Sequence, residues 1–305
     1  MRFPQNLRLI AAAGLGATAL TVIGLATPAQ ARVADHEASC LTPTPGPAAE
    51  ARGGVSGIDH PAISAAEQRA IARRTNSRLA AKGAPGVGGS TAAVAASVPV
   101  YVHVMRDAAG NGDVTNSQIT RQVAVLNSDF SGTDYSFDLA GIDRYNNNTW
   151  HKDRQSATYR AQTRKGGANA LNIWLVDFKY LGIATFPWDY AKHGAIDGIR
   201  VHYDSLPGGS ITNFNLGGTA THEAGHWFGL YHTFQGGCTE LNDEVDDTPA
   251  QSGPTSGCPE GRDSCPLPGL DPIHNYMDYS WDSCYTEFTG GQDARMDQMW
   301  AAYRA

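Results

Sequence analysis

The sequence predicts a mixed fold in which a sheet with helices precedes an irregular half, and two observations predict it. "VPVYVHVM", from Val98, alternates β-branched and aromatic residues like a strand, and "NSQITRQVAVLNSDF" follows with Ile119, Val123, Leu126 and Phe130 at helical spacing. From about Cys238 onward the chain turns instead to Gly, Pro, Asp and Cys with little periodicity. With 305 residues, 41% of them hydrophobic, it can bury one large core or two small ones.

The first 31 residues carry Arg2 and Arg8, an apolar run from Leu9 to Ala26 and then Ala29-Gln30-Ala31, a small-x-small cleavage site. That is the order of a secretory signal peptide, so export is expected. A membrane anchor is the competing reading, but the run is rich in Ala and Gly and lacks a basic stop-transfer flank. Residues 32 to 60 are short of large apolar side chains and cannot bury much surface. "HPAISAAEQRAIARRTNSRLAAKG" then offers a Pro-initiated helix ended by Gly83, with Arg69, Arg73, Arg74 and Arg78 on a solvated face. Residues 83 to 97 have the composition of a flexible linker.

Beyond the opening strand and helix, "ALNIWLVDF", "LGIATF" and "DGIRVHY" are strand-like, "SFDLAGI" more weakly so. In the last third only "GGQDARMDQMWAAYR" is helical, with Met296, Met299, Trp300 and Tyr303 on one side. Net charge is −7, and residues 98 to 305 hold 14 basic against 25 acidic side chains. Such a surface repels phosphate backbones, which disfavours a nucleic-acid partner, and it suits oxygen-ligated cations such as calcium. Four of the five cysteines, Cys238, Cys258, Cys265 and Cys284, cluster near the C-terminus, which in an exported chain reads as two disulfides. Cys40 is left over.

The chemistry concentrates in "THEAGHWFGLYHTF", residues 221 to 234. On a helix His222 and His226 are one turn apart and can bind one metal ion from the same face. Glu223, beside the first of them, can meet a water as general base without ligating the metal. Gly229 can take φ > 0, end the helix and let the chain bring His232 round as a third ligand. Three nitrogen ligands leave a fourth position open, the mark of a catalytic rather than a structural zinc. The remaining histidines lack such spacing and default to ordinary roles. HExxHxxGxxH with a downstream Met-turn is the metzincin pattern, and "HNYMDYS" supplies Met277 as an apolar floor and Tyr279 two residues on.

Taken together, "VPVYVHVM", "QVAVLNSDF", "GGTATHEAGHWFGLYHTFQGGC", "DEVDDTP", "NYMDYS" and "FTGGQDARM" resemble the pappalysin branch of the metzincins, and its compact microbial members most. The resemblance implies an α+β catalytic domain with a twisted mixed sheet above the cleft, an active-site helix and an irregular disulfide-bonded C-terminal half. It implies zinc on His222, His226 and His232, Glu223 as general base and acid, and Tyr279 stabilising the oxyanion. It also implies pairing of Cys238 with Cys265 and of Cys258 with Cys284, and "LGIATF" as the strand that binds an extended peptide substrate. Five carboxylates crowd "ELNDEVDDTP", and the resemblance favours calcium around Asp243 and Thr248, although a solvated acidic loop explains them as well.

The expected organisation is a signal peptide over 1–31, a pro-segment and linker over 32–97 and a metalloprotease domain over 98–305, giving a secreted, latent zinc endopeptidase. Its partners are then protein or peptide substrates, with no nucleic acid and no membrane anchor. Cys40 could bind the zinc as a thiolate and keep the precursor inactive, as in related proteases, or be an accidental or chain-linking thiol. Two other classes compete: a zinc amidase acting on cell-wall material, and a secreted zinc-binding module without catalysis. The latter would need neither Glu223 nor Tyr279.

Overall fold

The computed structural model describes residues 63–84, 86 and 96–305. Residues 1–31, expected to be a signal peptide, Cys40 and most of residues 83–97, expected to be a linker, lie outside the described residues. The first helix, α1 (Ala65–Ala81), is set by a capping box: the Ser64 hydroxyl accepts from the Glu67 N–H while the Glu67 carboxylate accepts from the Ser64 N–H. Its four arginines are exposed. Its other face buries Ile71, Thr75 and Leu79 against Tyr231, Met299 and Tyr303, with the Thr75 hydroxyl 2.9 Å from the Tyr303 phenol. Lys82 donates to the Ala301 and Ala305 carbonyls. A helix inside the stretch expected to be a pro-segment thus packs one face against the last helix, Gly290–Tyr303, and against Tyr231.

Strand β1 (Ala96–Arg106) leads into α2 (Asn116–Asp129), β2 (Tyr135–Asn146), and the short helices α3 (Asn148–His151) and α4 (Ser156–Thr163). Then come β3 (Leu171–Val176), β4 (Gly182–Ala184), α5 (Tyr190–His193), β5 (Ile199–His202), α6 (Gly218–Phe228) and α7 (Gly290–Tyr303). The fold is mixed α+β, with one five-stranded sheet in the order β2-β1-β3-β5-β4. All neighbours are parallel except β4, which pairs antiparallel with β5 and forms an edge. The other edge, β2, contains "SFDLAGI"; only its first residues alternate in burial, and a bulge opposite Val100 and Tyr101 breaks its register, which is why its sequence reads weakly.

Period-2 alternation sorts the strands onto two faces. Val98, Val100, Val102 and Val104 join Leu171, Ile173, Leu175, Ile199 and Val201 in the main core, which α2 covers with Ile119, Val123, Leu126 and Phe130, and α6 with Ala220, Ala224, Trp227 and Phe228. On the opposite face Met105, Trp174 and Val176 pack with Tyr159 of α4. His103, His151 and His202 are buried with polar partners: His103 on Asn172, His151 on the Met105 carbonyl, and His202 facing Asp177. All three are interior histidines outside the motif.

Between α6 and α7 the described chain forms one 3₁₀ turn, Asp282–Cys284, and little other regular structure. Disulfides Cys238–Cys265 and Cys258–Cys284 tie it together. They close loops of 27 and 26 residues, each worth roughly 3–4 kcal/mol of denatured-state entropy. Asp278, fully buried, accepts from the Thr255 and Tyr279 backbone N–H groups and from the Gln251 amide. Among the described residues no helix is long and apolar enough to cross a membrane.

Candidate active site

All eleven residues of α6 are buried, so the helix that carries the motif is a core element with no solvated stripe. It stops at Gly229, whose φ of +103° is the left-handed conformation that ends helices, and the Leu230 N–H closes the turn on the Gly225 carbonyl. A Cβ at Gly229 would also lie 2.6 Å from Met299 Cγ, so α7 requires glycine there as well. The turn directs His232 back toward the helix. One nitrogen from each of His222, His226 and His232 then lies within 4.8 Å of the others, and all three residues are buried.

Two of the rings are oriented by backbone carbonyls. His222 Nδ1 lies 2.6 Å from the Tyr276 carbonyl and His226 Nδ1 lies 2.8 Å from the Leu230 carbonyl. A carbonyl can only accept, so each Nδ1 carries the proton and each Nε2 keeps its lone pair for a metal. Met277, buried beneath them, presses on the helix so closely that a Cβ at Gly225 would sit 2.3 Å from its sulfur. Gly225 is legible in the sequence as a glycine inside a helical pattern, a sign of close approach.

The edge strand β4 crosses above Glu223. A Cβ at Gly182 would fall 2.3 Å from both Cγ and Oε1 of Glu223, so only glycine lets the strand pass this close to the carboxylate. The Tyr279 ring stands 4.9 Å from that of His232 and 5.6 Å from that of His222. The structure therefore brings together His222, Glu223, His226, His232, Met277 and Tyr279. Cys40 lies outside the described residues.

Beside His222 and Glu223 opens a pocket walled by Tyr180, Leu181, Phe214 and Tyr285, with Thr219 and Asp282 in its lining. Asp282 is 8% exposed. One carboxylate oxygen accepts from the backbone N–H groups of Leu216 and Gly218, while Oδ1 has no hydrogen-bond partner. Burial pushes its carboxyl up to about 6. Nothing in "SWDSC" marks this aspartate in the sequence, because its neighbours come from a loop more than 60 residues earlier.

The acidic loop divides its charges. Glu240 and Asp246 are exposed, Glu244 pairs with Arg295 at 3.1 Å, and Asp247 accepts from the Thr289 hydroxyl and the Gly291 N–H at the start of α7. Asp243 is buried. Its Oδ1 accepts from the Thr248 hydroxyl and the Val245 N–H, its Oδ2 has no hydrogen-bond partner, and burial pushes the carboxyl up to about 7.

A buried histidine cluster at the end of a helix, floored by a methionine and roofed by the edge of a mixed sheet, defines a zinc metalloprotease. The sequence profile of the family described as Pregnancy-associated plasma protein-A matches residues 177–301. An extracellular metalloprotease of Verticillium alfalfae is 51% identical over 229 residues, 72% of this chain and 80% of its own length. One from Neurospora crassa is 49% identical over 223 residues, 70% and 78% of the two chains. Among solved structures, mature mirolysin of Tannerella forsythia in complex with a cleaved peptide aligns with a TM-score of 0.58 at 28% identity, covering 68% of this chain and 91% of that one. A promirolysin mutant from the same organism aligns with a TM-score of 0.63 at 27% identity, covering 77% and 88%. The chain belongs to the pappalysin family of zinc metalloproteases.

Proposed function

We propose that this chain is a secreted endopeptidase, made as a latent precursor, in which His222, His226 and His232 hold the zinc and Glu223 is general base and acid. The observation that carries the reading is the convergence of three buried imidazoles directly beside Glu223 and beneath an antiparallel edge strand. The donor set fits the metal: three imidazoles, two of them held in the tautomer that frees Nε2. Zinc, when bound, supplies Lewis-acid polarisation of the scissile carbonyl and acidifies a water. Glu223 takes the proton of that water and returns it to the departing amine nitrogen. The Tyr279 phenol donates to the charge that develops on the carbonyl oxygen. Strand β4 holds the peptide extended by pairing with it along the side away from β5, which favours peptides over cell-wall amides.

The pocket next to Glu223 receives the side chain that follows the scissile bond, and Asp282 makes it select a basic one. An apolar wall suits the methylene stem of Lys or Arg, and the free Oδ1 suits its charge. A cation binds the ionised carboxylate, so the preference should strengthen as pH rises through about 6 and fade below it. Asp282→Asn should lower kcat/KM about tenfold or more for peptides with Lys or Arg after the cleaved bond and spare those with Leu there. Equal losses for both peptides in matched fluorogenic assays exclude this role.

Asp243, with Thr248 beside it, is the anchor of a calcium site, because its buried Oδ2 calls for a cation. The sign of the pH effect follows from its raised carboxyl. With the folded value near 7 and the unfolded value near 3.9, keeping Asp243 ionised costs stability increasingly from pH 4 to 7 and fully above that. Calcium removes the cost, so it should raise Tm more at pH 8 than at pH 5. Equal melting with calcium and with chelator at pH 8 leaves Asp243 as a carboxyl that is simply buried.

Latency is assigned to residues 32–97, with Cys40 as a thiolate ligand that displaces the water Glu223 needs. Cys40→Ala in the chain 32–305 should bring activity forward in time. N-terminal sequencing of the product then locates the cut and tells whether α1, with its buried face, leaves with the pro-segment. Latency unchanged by the substitution rules out the switch.

A further inference from the structure

We infer that Asp129 is a positioning residue for the metal centre: it clamps His222 from both sides without touching it. The inference rests on the reading that His222 is a zinc ligand. Asp129 ends α2, and its carboxylate reaches two neighbours that are far away in sequence. Thr221, the residue before His222 on α6, donates its hydroxyl to Asp129 Oδ2 at 2.6 Å. Tyr276, whose carbonyl accepts from His222 Nδ1 at 2.6 Å, donates its phenol to the same carboxylate. Thr221 and Tyr276 are both buried, so neither hydroxyl can exchange its partner for bulk water without cost.

One carboxylate thus joins the backbone that carries the ring and the backbone that orients it. The carbonyl of Tyr276 precedes Met277 in an irregular segment held by one bridge, Asn275 to Glu287, and by the Met277 N–H donating to Asn275 Oδ1. The phenol bond adds a tie from the side-chain end of Tyr276, and so helps to hold the carbonyl that sets the tautomer leaving Nε2 of His222 for the metal. His226 has no such dependence, since its carbonyl partner, Leu230, is held by the turn that ends α6. The arrangement differs from a carboxylate bonded directly to a ligand histidine, because a peptide carbonyl is interposed and the carboxylate acts through two side chains. Two further contacts brace α2 against α6 here: Gln122, buried about two turns earlier, donates to the Gly217 carbonyl, and Phe130 packs on Phe228.

The experiment measures zinc affinity by competition with a chromophoric chelator in the full chain and in Asp129→Asn, Tyr276→Phe and the double variant. Asparagine keeps the shape but cannot accept from both hydroxyls with a full charge. Phenylalanine removes the phenol and keeps the carbonyl. Each single variant should hold zinc about tenfold less tightly, within the range for partners of ligand histidines, and the double variant no worse than the weaker single. Replacing zinc by cobalt should show altered visible absorption bands in the same variants, which a merely structural weakening would not produce. Wild-type zinc affinity and cobalt bands in Tyr276→Phe overturn the inference, even should Asp129→Asn fail to fold. Absence of stoichiometric zinc from the unmodified chain overturns the underlying reading instead, so the two failures are distinguishable.

Discussion

Glu223→Ala will leave a folded chain that still binds one zinc ion and hydrolyses peptides about 10⁴-fold more slowly. The size is at the upper end for general acid and base catalysis, because one carboxylate serves both proton transfers. Zinc is retained because the histidines, not Glu223, converge on the shared point. Glu223 is 2% exposed, and alanine there removes a buried charge, so stability should not fall. Metal analysis and turnover of a quenched peptide check both halves. Zinc-loaded Glu223→Ala with wild-type turnover eliminates the mechanism. Tyr279→Phe should cost less, about 10²-fold, since it removes one donor to the oxyanion and leaves the base in place.

Asp197→Ala will be the most destabilising single change to a group that takes no part in the chemistry. Asp197 is 1% exposed and gathers four separate parts of the chain. It accepts from the Trp227 indole of α6 at 3.0 Å, from the Thr185 hydroxyl next to β4 at 2.9 Å, and from both terminal nitrogens of Arg304, with Arg164 at 3.6 Å. Arg304, second from the C-terminus, is itself buried, stacks 3.5 Å over the Trp227 ring and donates to the Trp227 and Ala168 carbonyls. Removing the carboxylate leaves that guanidinium buried without its counter-charge, for which about 3–5 kcal/mol is expected. Urea unfolding measures it, and a loss below about 1 kcal/mol would mean that the arginines find other partners. Because Thr185 follows β4 and Trp227 lies on the helix that carries the histidines, the variant should also lower activity while still folded.

Much of the site is legible in the chain because it depends on short spacings. Two histidines one helical turn apart, a glutamate between them and a glycine that ends the helix are a local instruction, and the helix and turn at Gly218–Gly229 carry it out. The strands of the main core are legible for the same reason, since Val98 to Val104 alternate with period 2 whatever they later pack against. The first helix is legible as a helix, but its start is set by the Ser64 capping box rather than by the proline, and Gly182 acquires meaning only when Glu223 arrives beneath it.

What the tertiary structure alone decided are the lone carboxylates. Asp129, Asp197 and Asp282 look like any other aspartates in the sequence, and the chain has 30 acidic residues in all. Their roles come from partners 92 residues away for Asp129, 107 for Asp197 and 66 for Asp282. A carboxylate in water is indifferent to its neighbours. Once desolvated, it must find donors or a cation, and which of these it finds depends on the elements the fold packs around it. A spacing rule can place a side chain on a helix face, but the dielectric around that side chain is a property of the whole packed molecule.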